Sequence, residues 1–492
     1  MSVRVRFAPS PTGALHIGGL RTALYNYLFA KKNGGAFILR MEDTDQNRKI
    51  ENAEKYILDS LNWCGLQPDE GPFAKGQFGP YRQSERKSIY KEQIDQLIHK
   101  GQAYYAFDTP EELAEQRAIC EEAKTTFKYC AQNRMQFKNS LSQNHEMTLK
   151  LINSVPYVIR LKVEPGQSIK LKDTVRGDIE IESEEIDDKI LIKADGMPTY
   201  HFANVVDDHL MEISHVIRGE EWLPSLGLHQ LIYDAFGWRA PEFMHLPLIL
   251  KPQGKGKLSK RDGEKMGFPV FPLAWGGSPG FKERGFLPEA LINYLALLGW
   301  NPGTEEELFK IDELIETFDP RKIQKGGAKF DFEKAKWFNH KFLGFTEKKI
   351  IFERFPEFLG CLPSGWSEKK RSEVYELLRG RLFLLEDLDS ESEVFRKDPK
   401  AYDSKVFNKI QKYQPEKIIA QFCKYVNDDI PIDEWKKEIQ LWNETQGLPF
   451  GSIMQSLRLA IVGNLSGPDI FTICKVLGNE ITLKRLKAFI NH

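Results

Sequence analysis

Two short patterns in this 492-residue chain carry the residue types of phosphate chemistry. His16-Ile17-Gly18-Gly19 follows a turn, Ala8-Pro9-Ser10-Pro11-Thr12-Gly13, and opens a helical run. A helix N-terminus presents free N–H groups and a positive dipole end to anions, and glycines admit close backbone approach. An imidazole there can donate to a developing phosphoryl oxygen. Taken alone, the pattern reads more simply as ordinary helix entry. Lys257-Leu258-Ser259-Lys260-Arg261 lies in the Gly/Lys-rich stretch 251–263. Hinged on glycines, its two lysines could close on a triphosphate; a solvated basic loop has the same look.

The elements that must position these residues follow from periodicity. Val3, Val5 and Phe7 alternate with Arg4 and Arg6, a strand pattern. A helix over 17–32 closes on Asn33-Gly34-Gly35, and a second strand over 36–41 is stopped by Glu42-Asp43-Thr44-Asp45. Helical patterns follow at about 50–63 and 84–100. Strand, turn, helix, strand and helix begin a parallel α/β sheet, whose ligands sit beyond the carboxyl ends of the strands. Pro9-Ser10 and Glu42-Asp43 fall there. Arg6 on so early a strand is expected near the sheet centre, where a partnerless guanidinium is costly. From 102 to 195 the pattern is a mixed α+β insertion, with a charged helix over 110–135 and strands at 157–161 and 190–192. The α/β pattern resumes near Thr199, and Tyr200 and Asn204 share one face if the chain is helical from there. Beyond about 280 everything reads helical, including 290–298, 311–318, 374–388 and 457–462.

At this length three to five modules of roughly 100–200 residues are expected. Hydrophobic content of 41% and charged content of 28% are ordinary for a globular protein. A formal net charge of -1 excludes a uniformly basic nucleic-acid coat, but leaves room for one basic face. Cys64, Cys120, Cys130, Cys361, Cys423 and Cys474 form no tight pair, so a reducing cytoplasm is the expected setting. Met1 to Arg6 enters the strand pattern with no apolar leader, and no uncharged apolar stretch of about 18 residues follows; neither export nor a membrane span is expected.

Longer blocks decide between the bland and the chemical readings. Arg6-Phe-Ala-Pro-Ser10-Pro-Thr-Gly13, Arg40-Met-Glu42-Asp43-Thr44-Asp45 and Tyr81-Arg82-Gln83-Ser84-Glu85-Arg86 stand in order. Asp195-Gly-Met-Pro-Thr199-Tyr200-His201-Phe-Ala-Asn204-Val-Val-Asp207-Asp208-His209 and Ile217-Arg218-Gly-Glu220-Glu221-Trp222 follow. With the two motifs, they resemble the bacterial-type glutamyl-tRNA synthetases of class I, over essentially the whole chain. The last His of the family's "HIGH" pattern is Gly19 here, which leaves His16 as that motif's imidazole.

The resemblance implies an α/β fold: a class I Rossmann-type catalytic domain (1–101 and 196–265) with an α+β acceptor-stem insertion (102–195). A helical stem-contact domain (266–340) and a helical anticodon-binding domain (341–492) would follow. It implies ATP-dependent ligation of L-glutamate to tRNA(Glu) through glutamyl-adenylate, with Mg²⁺ accompanying ATP; a non-discriminating form that also charges tRNA(Gln) is the alternative. Arg6, Ser10, Glu42, Tyr200, Asn204 and Arg218 are placed around glutamate. Glu42 suits its ammonium, and Arg6, Tyr200 and Arg218 its carboxylates. His16, Lys257 and Lys260 are placed in catalysis, and His16, Gly18, Gly19, Glu221 and Lys260 around ATP. Some relatives hold zinc from a Cys-x-Cys start in the insertion; here that stretch is Ala103-Tyr104-Tyr105-Ala106-Phe107-Asp108, and Cys120 and Cys130 alone make a poor tetrahedral site, so no zinc is expected. Asp207-Asp208-His209 has metal-ligand residue types, but its block implies a structural or substrate-shaping role and no ion is assigned. Arg381, on the apolar stripe of the 374–388 helix, is placed at the anticodon, with Arg379 as its rival. A monomer is expected. Two other classes stand as rivals, a non-catalytic tRNA-binding paralogue and a small-molecule adenylyltransferase; the intact His16, Lys257 and Lys260 weigh against the first, and the long helical tail against the second.

Overall fold

The computed structural model of the protein describes residues 2–48 and 50–492; Met1, where the N-terminal pattern was taken to open, lies outside them. The chain forms two compact units, 1–283 with 288–332, and 284–287 with 333–492.

In the first unit, β1 (Arg4–Phe7), α1 (Ile17–Lys32) and β2 (Ala36–Leu39) make a parallel crossover, with Arg4 opposite Ala36 and Phe7 opposite Leu39. Leu20, Leu24 and Leu28 of α1 have no exposure; truncating one such side chain costs about 2–5 kcal/mol. The helix is entered through His16, whose Nδ1 accepts from the Gly18 N–H at 3.2 Å. It ends at Asn33, followed by Gly34 at a left-handed φ of 60°. α2 (Ala53–Trp63) and α3 (Lys87–His99) come next.

β3 (Ala103–Ala106) then leads to α4 (Pro110–Glu122), α5 (His145–Ser154) and β4 (Val158–Leu161). The hairpin β5 (Ser168–Asp173) and β6 (Gly177–Glu182) precedes β7 (Ile190–Ile192). α6 (Tyr200–Leu210), β8 (His215–Gly219), α7 (Leu226–Phe236) and β9 (Glu242–Leu246) restore the crossover pattern. β3, β4 and β7 form an antiparallel sheet, whereas the β5–β6 hairpin joins the sheet of β9 and β8 through β5. β8 and β9 are parallel. β1 is flanked on its other side by the residue before β8, Ser214, whose N–H donates to the Arg4 carbonyl at 2.9 Å. Arg6 is therefore buried at 3% exposure, as a central strand requires.

Three expectations are corrected here. The charged helix over 110–135 stops at Glu122, because Lys124 turns left-handed at φ 56° and Phe127, Tyr129 and Phe137 leave the helix to form a ring cluster beside Tyr104. After β10 (Ile249–Leu250), the stretch 251–263 is not all loop: Ser259 and Asp262 form a capping box that starts α8 (Lys260–Met266) at Lys260. The region beyond 280 holds α9 (Pro288–Leu297) and α10 (Ile311–Thr317), but also β11 (Ala328–Lys329), which pairs in parallel with β10.

The second unit is helical. Arg485, 3% exposed, ties its segments by donating to the carbonyls of Val394, Lys397 and Ile461 and to Asp398. Trp435, fully buried beside Phe422 and Tyr425, donates to the Ile430 carbonyl at 2.9 Å. The expected helix over 374–388 is also corrected: Glu368–Arg379 ends before Gly380, Asp387 pins the turn that follows by accepting from the N–H groups of Phe383 and Leu384 at 3.0 and 2.8 Å, and a separate short helix runs over Asp387–Glu391. Arg381 thus sits in a turn, not on a helical stripe. Among the described residues no helix is long and apolar enough to cross a membrane.

Candidate active site

Beyond the carboxyl ends of β1, β2, β8 and β9 lies a cavity of about 410 Å³. Its walls include Arg6, Ser10, His16, Gly18, Gly19, Glu42, Tyr200, Asn204, Arg218, Glu221 and Lys257. Eleven of the residues singled out by sequence are therefore brought together. Lys260 and Arg381 are not among the lining residues.

One wall is built on carboxylates. Arg6 donates through Nε and Nη2 to both oxygens of Asp208, at 2.9 and 3.2 Å. Arg40, with no exposure, donates to the same Asp208 at 2.8 Å and to Glu42 Oε1 at 3.3 Å. Asn204, one helical turn from Tyr200 on α6, donates to that Glu42 oxygen at 2.9 Å. Asp207 accepts from Gln83, Arg86 and Tyr90 at 2.7–2.9 Å. Both aspartates of the Asp207-Asp208-His209 run are thus engaged by buried cations and donors. Burial pushes the Glu42 carboxyl up, with the nearby Arg40 and Arg6 opposing it.

On the other wall, no carboxylate among the described residues hydrogen-bonds or ion-pairs with the cation. Arg218, 5% exposed, donates through Nε to His245 Nε2 at 3.0 Å. Its Nη1 lies 3.2 Å from His229 Nδ1 and 3.4 Å from the Tyr200 hydroxyl. Its Nη2 is buried without a hydrogen-bond partner among the described residues. Burial pulls the Arg218 pKa down and pushes Tyr200 up to about 12. Trp222 packs over the Tyr200 ring with centroids 4.3 Å apart.

At the helix entry, desolvation and the charge of Lys257 pull His16 down to about 4, so its ring is neutral at pH 7. His16 Nε2 is buried and unpartnered among the described residues; with Nδ1 accepting from Gly18 it carries the ring proton and is a free donor at the cavity. A Cβ on Gly19 would meet Leu15 Cδ1 at 2.7 Å, so a larger residue there requires the Leu15 side chain to shift. Lys257 donates to Glu221 at 2.7 Å. Lys260, at the start of α8, has its Nζ 5.9 Å from the centre of the Phe271 ring, and the same ring meets His16 edge-on at 6.2 Å. Ser10 is exposed at the rim.

Sequence reasoning missed Arg40, Arg86, His229, His245 and Phe271. None carries a local signal for its main partner: Arg40 meets Asp208 across 168 residues, Arg86 meets Asp207 across 121, His229 meets His201 across 28, His245 meets Asp173 across 72, and Phe271 meets His16 across 255. Arg21, also missed, lines the cavity and donates to the Leu298 and Pro247 carbonyls.

The profile of the family described as "tRNA synthetases class I (E and Q), catalytic domain" matches residues 2–337, more than half the chain. The chain belongs to this class I synthetase family. An "Anticodon binding domain" profile matches residues 350–490. The class I chain is 51% identical to a "Glutamate--tRNA ligase" of Christiangramia forsetii and 50% identical to one of Flavobacterium psychrophilum, each over 99% of both sequences. It superposes with a TM-score of 0.96 and 46% identity on the crystal structure of a glutamate tRNA ligase from Elizabethkingia meningosepticum in complex with its amino acid, covering 100% of this chain and 99% of that one. A glutamate-tRNA synthetase structure from Elizabethkingia anophelis gives 0.94 and 45%, with full coverage of both chains. The fold of this synthetase is accordingly the class I α/β architecture with a largely helical C-terminal half.

In the insertion, Cys120 and Cys130 are free thiols. Among the described residues no group of three or more His, Cys, Asp or Glu side chains is arranged to hold a metal ion. Arg379 donates to the carbonyls of Leu343 and Thr346, a bracing role, whereas Arg381 is exposed and donates to Glu391 at 2.6 Å.

Proposed function

We propose that this chain ligates L-glutamate to tRNA(Glu), using ATP and passing through glutamyl-adenylate. The observation that carries the reading is Arg218, a buried cation with one whole nitrogen unsatisfied at the cavity wall. Burying a charge without a counter-charge is costly, and a ligand carboxylate supplies what is missing. A guanidinium nitrogen can only donate, which suits a carboxylate whose two oxygens only accept, and not an amide, whose N–H groups would face N–H groups. The relatives named for glutamate support the same substrate; no finding favours the non-discriminating alternative.

In the first step the α-carboxylate of glutamate attacks the α-phosphorus of ATP and pyrophosphate leaves. No enzyme nucleophile is required, so the work is alignment and charge stabilisation. Glu42 holds the ammonium, while Arg6, Tyr200 and Arg218 face the carboxylates and Ser10 closes the rim. Neutral His16, with Gly18, Gly19 and Glu221, takes the nucleotide at the helix entry. Lys257 and Lys260 swing onto the phosphates, a motion that Gly254 and Gly256, both left-handed, leave open. Magnesium enters with ATP as part of the substrate. In the second step the terminal adenosine 2′-hydroxyl of tRNA attacks the adenylate. Residues 102–195 take the acceptor stem, 266–340 contact the stem, and 341–492 with Arg381 read the anticodon; the anticodon-domain match supports the last. The enzyme acts as a cytoplasmic monomer.

ATP–pyrophosphate exchange with purified tRNA(Glu) present tests this. Exchange should require glutamate, and glutamine should be poorer by roughly 10⁴–10⁵ in kcat/KM. Absence of glutamate-dependent exchange would sink the reading; exchange with another acid and no tRNA would favour a small-molecule adenylyltransferase.

A further inference from the structure

The Arg218 guanidinium is held by two imidazoles, and donor logic fixes the proton on each. Arginine can only donate, so His245 Nε2, 3.0 Å from Arg218 Nε, presents its lone pair. The ring proton of His245 therefore sits on Nδ1, 2.7 Å from Asp173 Oδ2. The same logic makes His229 Nδ1 an acceptor, and places its proton on Nε2, which donates to His201 Nδ1 at 3.0 Å. Asp173 is itself pinned by the N–H groups of Val175, Arg176 and His245, at 2.9, 2.8 and 3.1 Å. Asp173, His229 and His245 are each 1% exposed or less. None of the three lines the cavity; they reach a ligand through Arg218 and, for His229, also through the Tyr200 ring 5.9 Å away.

We propose that His245, with its tautomer locked by Asp173, and His229 are positioning residues that set the glutamate-over-glutamine preference by orienting Arg218. The inference rests on the glutamate reading of the cavity. A carboxylate placed directly on Arg218 would orient it too, but would also compete with the ligand for its charge. Neutral lone pairs hold Nε and Nη1 and leave the charge, and the unpartnered Nη2, to the ligand. Burial and the adjacent guanidinium keep both rings neutral, consistent with this use. Asp173 lies at the end of β5, so the hairpin that joins β9 supplies the anchor for a specificity arginine on β8.

Asp173→Asn separates this from a packing role, since it changes almost no volume. An asparagine can donate to His245 Nδ1, which drives the ring proton to Nε2 and sets N–H against N–H at Arg218, the inverted-tautomer effect known for catalytic Asp-to-Asn changes. Glutamate KM in tRNA-supported exchange should rise about 10- to 100-fold, as for a contact misplaced by about 1 Å, with the KM for ATP unmoved and the glutamate-to-glutamine ratio reduced. His245→Gln, whose side-chain oxygen reaches the Nε2 position, should recover part of the loss seen in His245→Leu. A folded Asp173→Asn with wild-type glutamate KM and ratio overturns the proposal. So does equal loss in His245→Gln and His245→Leu, which also decides the matter if Asp173→Asn does not fold. Failure of the wild-type enzyme to exchange with glutamate would instead strike the underlying function.

Discussion

Arg6 and Arg218 reach one cavity from neighbouring buried strands, 3% and 5% exposed, yet they are held in opposite ways. Arg6 is clamped by both oxygens of Asp208, which Arg40 shares. Arg218 rests on two neutral imidazoles and a phenol and keeps a nitrogen unsatisfied. The difference separates two tasks that a single arginine serves badly together. A cation neutralised within the fold gives rigidity and shape; a cation left short of an anion gives affinity for one. On the proposed reading, the carboxylate wall is scaffold with a binding edge, and the imidazole wall is binding site with a scaffold behind it.

The sharpest way to break the comparison is Asp208→Asn. It leaves two buried guanidinia short of their common anion, and breaking a buried pair from one side costs about 3–5 kcal/mol. Since total stability is typically about 5–15 kcal/mol, the first unit should show a large fall in its melting temperature by calorimetry. A variant melting with the wild type would mean that Asp208 is not the keystone of that wall.

Arg218→Leu should do the reverse. Removing a buried cation that lacks a carboxylate partner is expected to leave stability unchanged or raised. Glutamate activation, however, should fall roughly 10²–10³-fold in kcat/KM, the effect of losing one preorganised charge-stabilising donor. Pyrophosphate exchange and a thermal melt on the same preparation give both numbers. Loss of stability with activity preserved would reverse the roles assigned to the two walls.

How far the sequence could lead differs between these layers. β1, α1 and β2 were legible because period and punctuation are local: alternation, then a glycine-rich turn, then Asn33-Gly34 at the helix end. The face shared by Tyr200 and Asn204 was legible for the same reason, and α6 carries both. The cavity residues themselves came from family blocks, since nothing in the spacing of Arg6, Glu42 and Arg218 implies that they meet. What holds them was illegible: Arg40 meets Asp208 across 168 residues, and His245 meets Asp173 across 72. The stripe through Arg381 misled because helical period outlasted the helix: the chain turns after Arg379, and Asp387 pins that turn by accepting from the N–H groups of Phe383 and Leu384.

The smallest expected effect concerns pH, and it gives the two walls different windows. Burial pulls His16 and His201 from 6.5 down to about 4, and pulls His229 and His245 down as well. In the unfolded chain these rings take protons below about 6.5, whereas the folded rings take them only at lower pH, about 4 for His16 and His201. Stability is therefore fully present above about pH 6.5 and is lost as the pH falls from there towards 4. The slope is about 1.4 kcal/mol per pH unit for each such histidine. On the opposite wall, Asp208 is held below its ordinary 3.8 by Arg6 and Arg40 against the cost of burial, so its contribution is lost only under more acid conditions. Glu42, pushed up from 4.5 by burial, takes its proton earlier when folded, a gain complete by about pH 4.5 that opposes part of the histidine decline. Melting temperatures should thus start to fall between pH 6.5 and 5, and His245→Gln should shallow that first decline. A melting temperature that climbs between pH 7 and 5 would contradict neutral imidazoles behind Arg218, and with them the distinction between the walls.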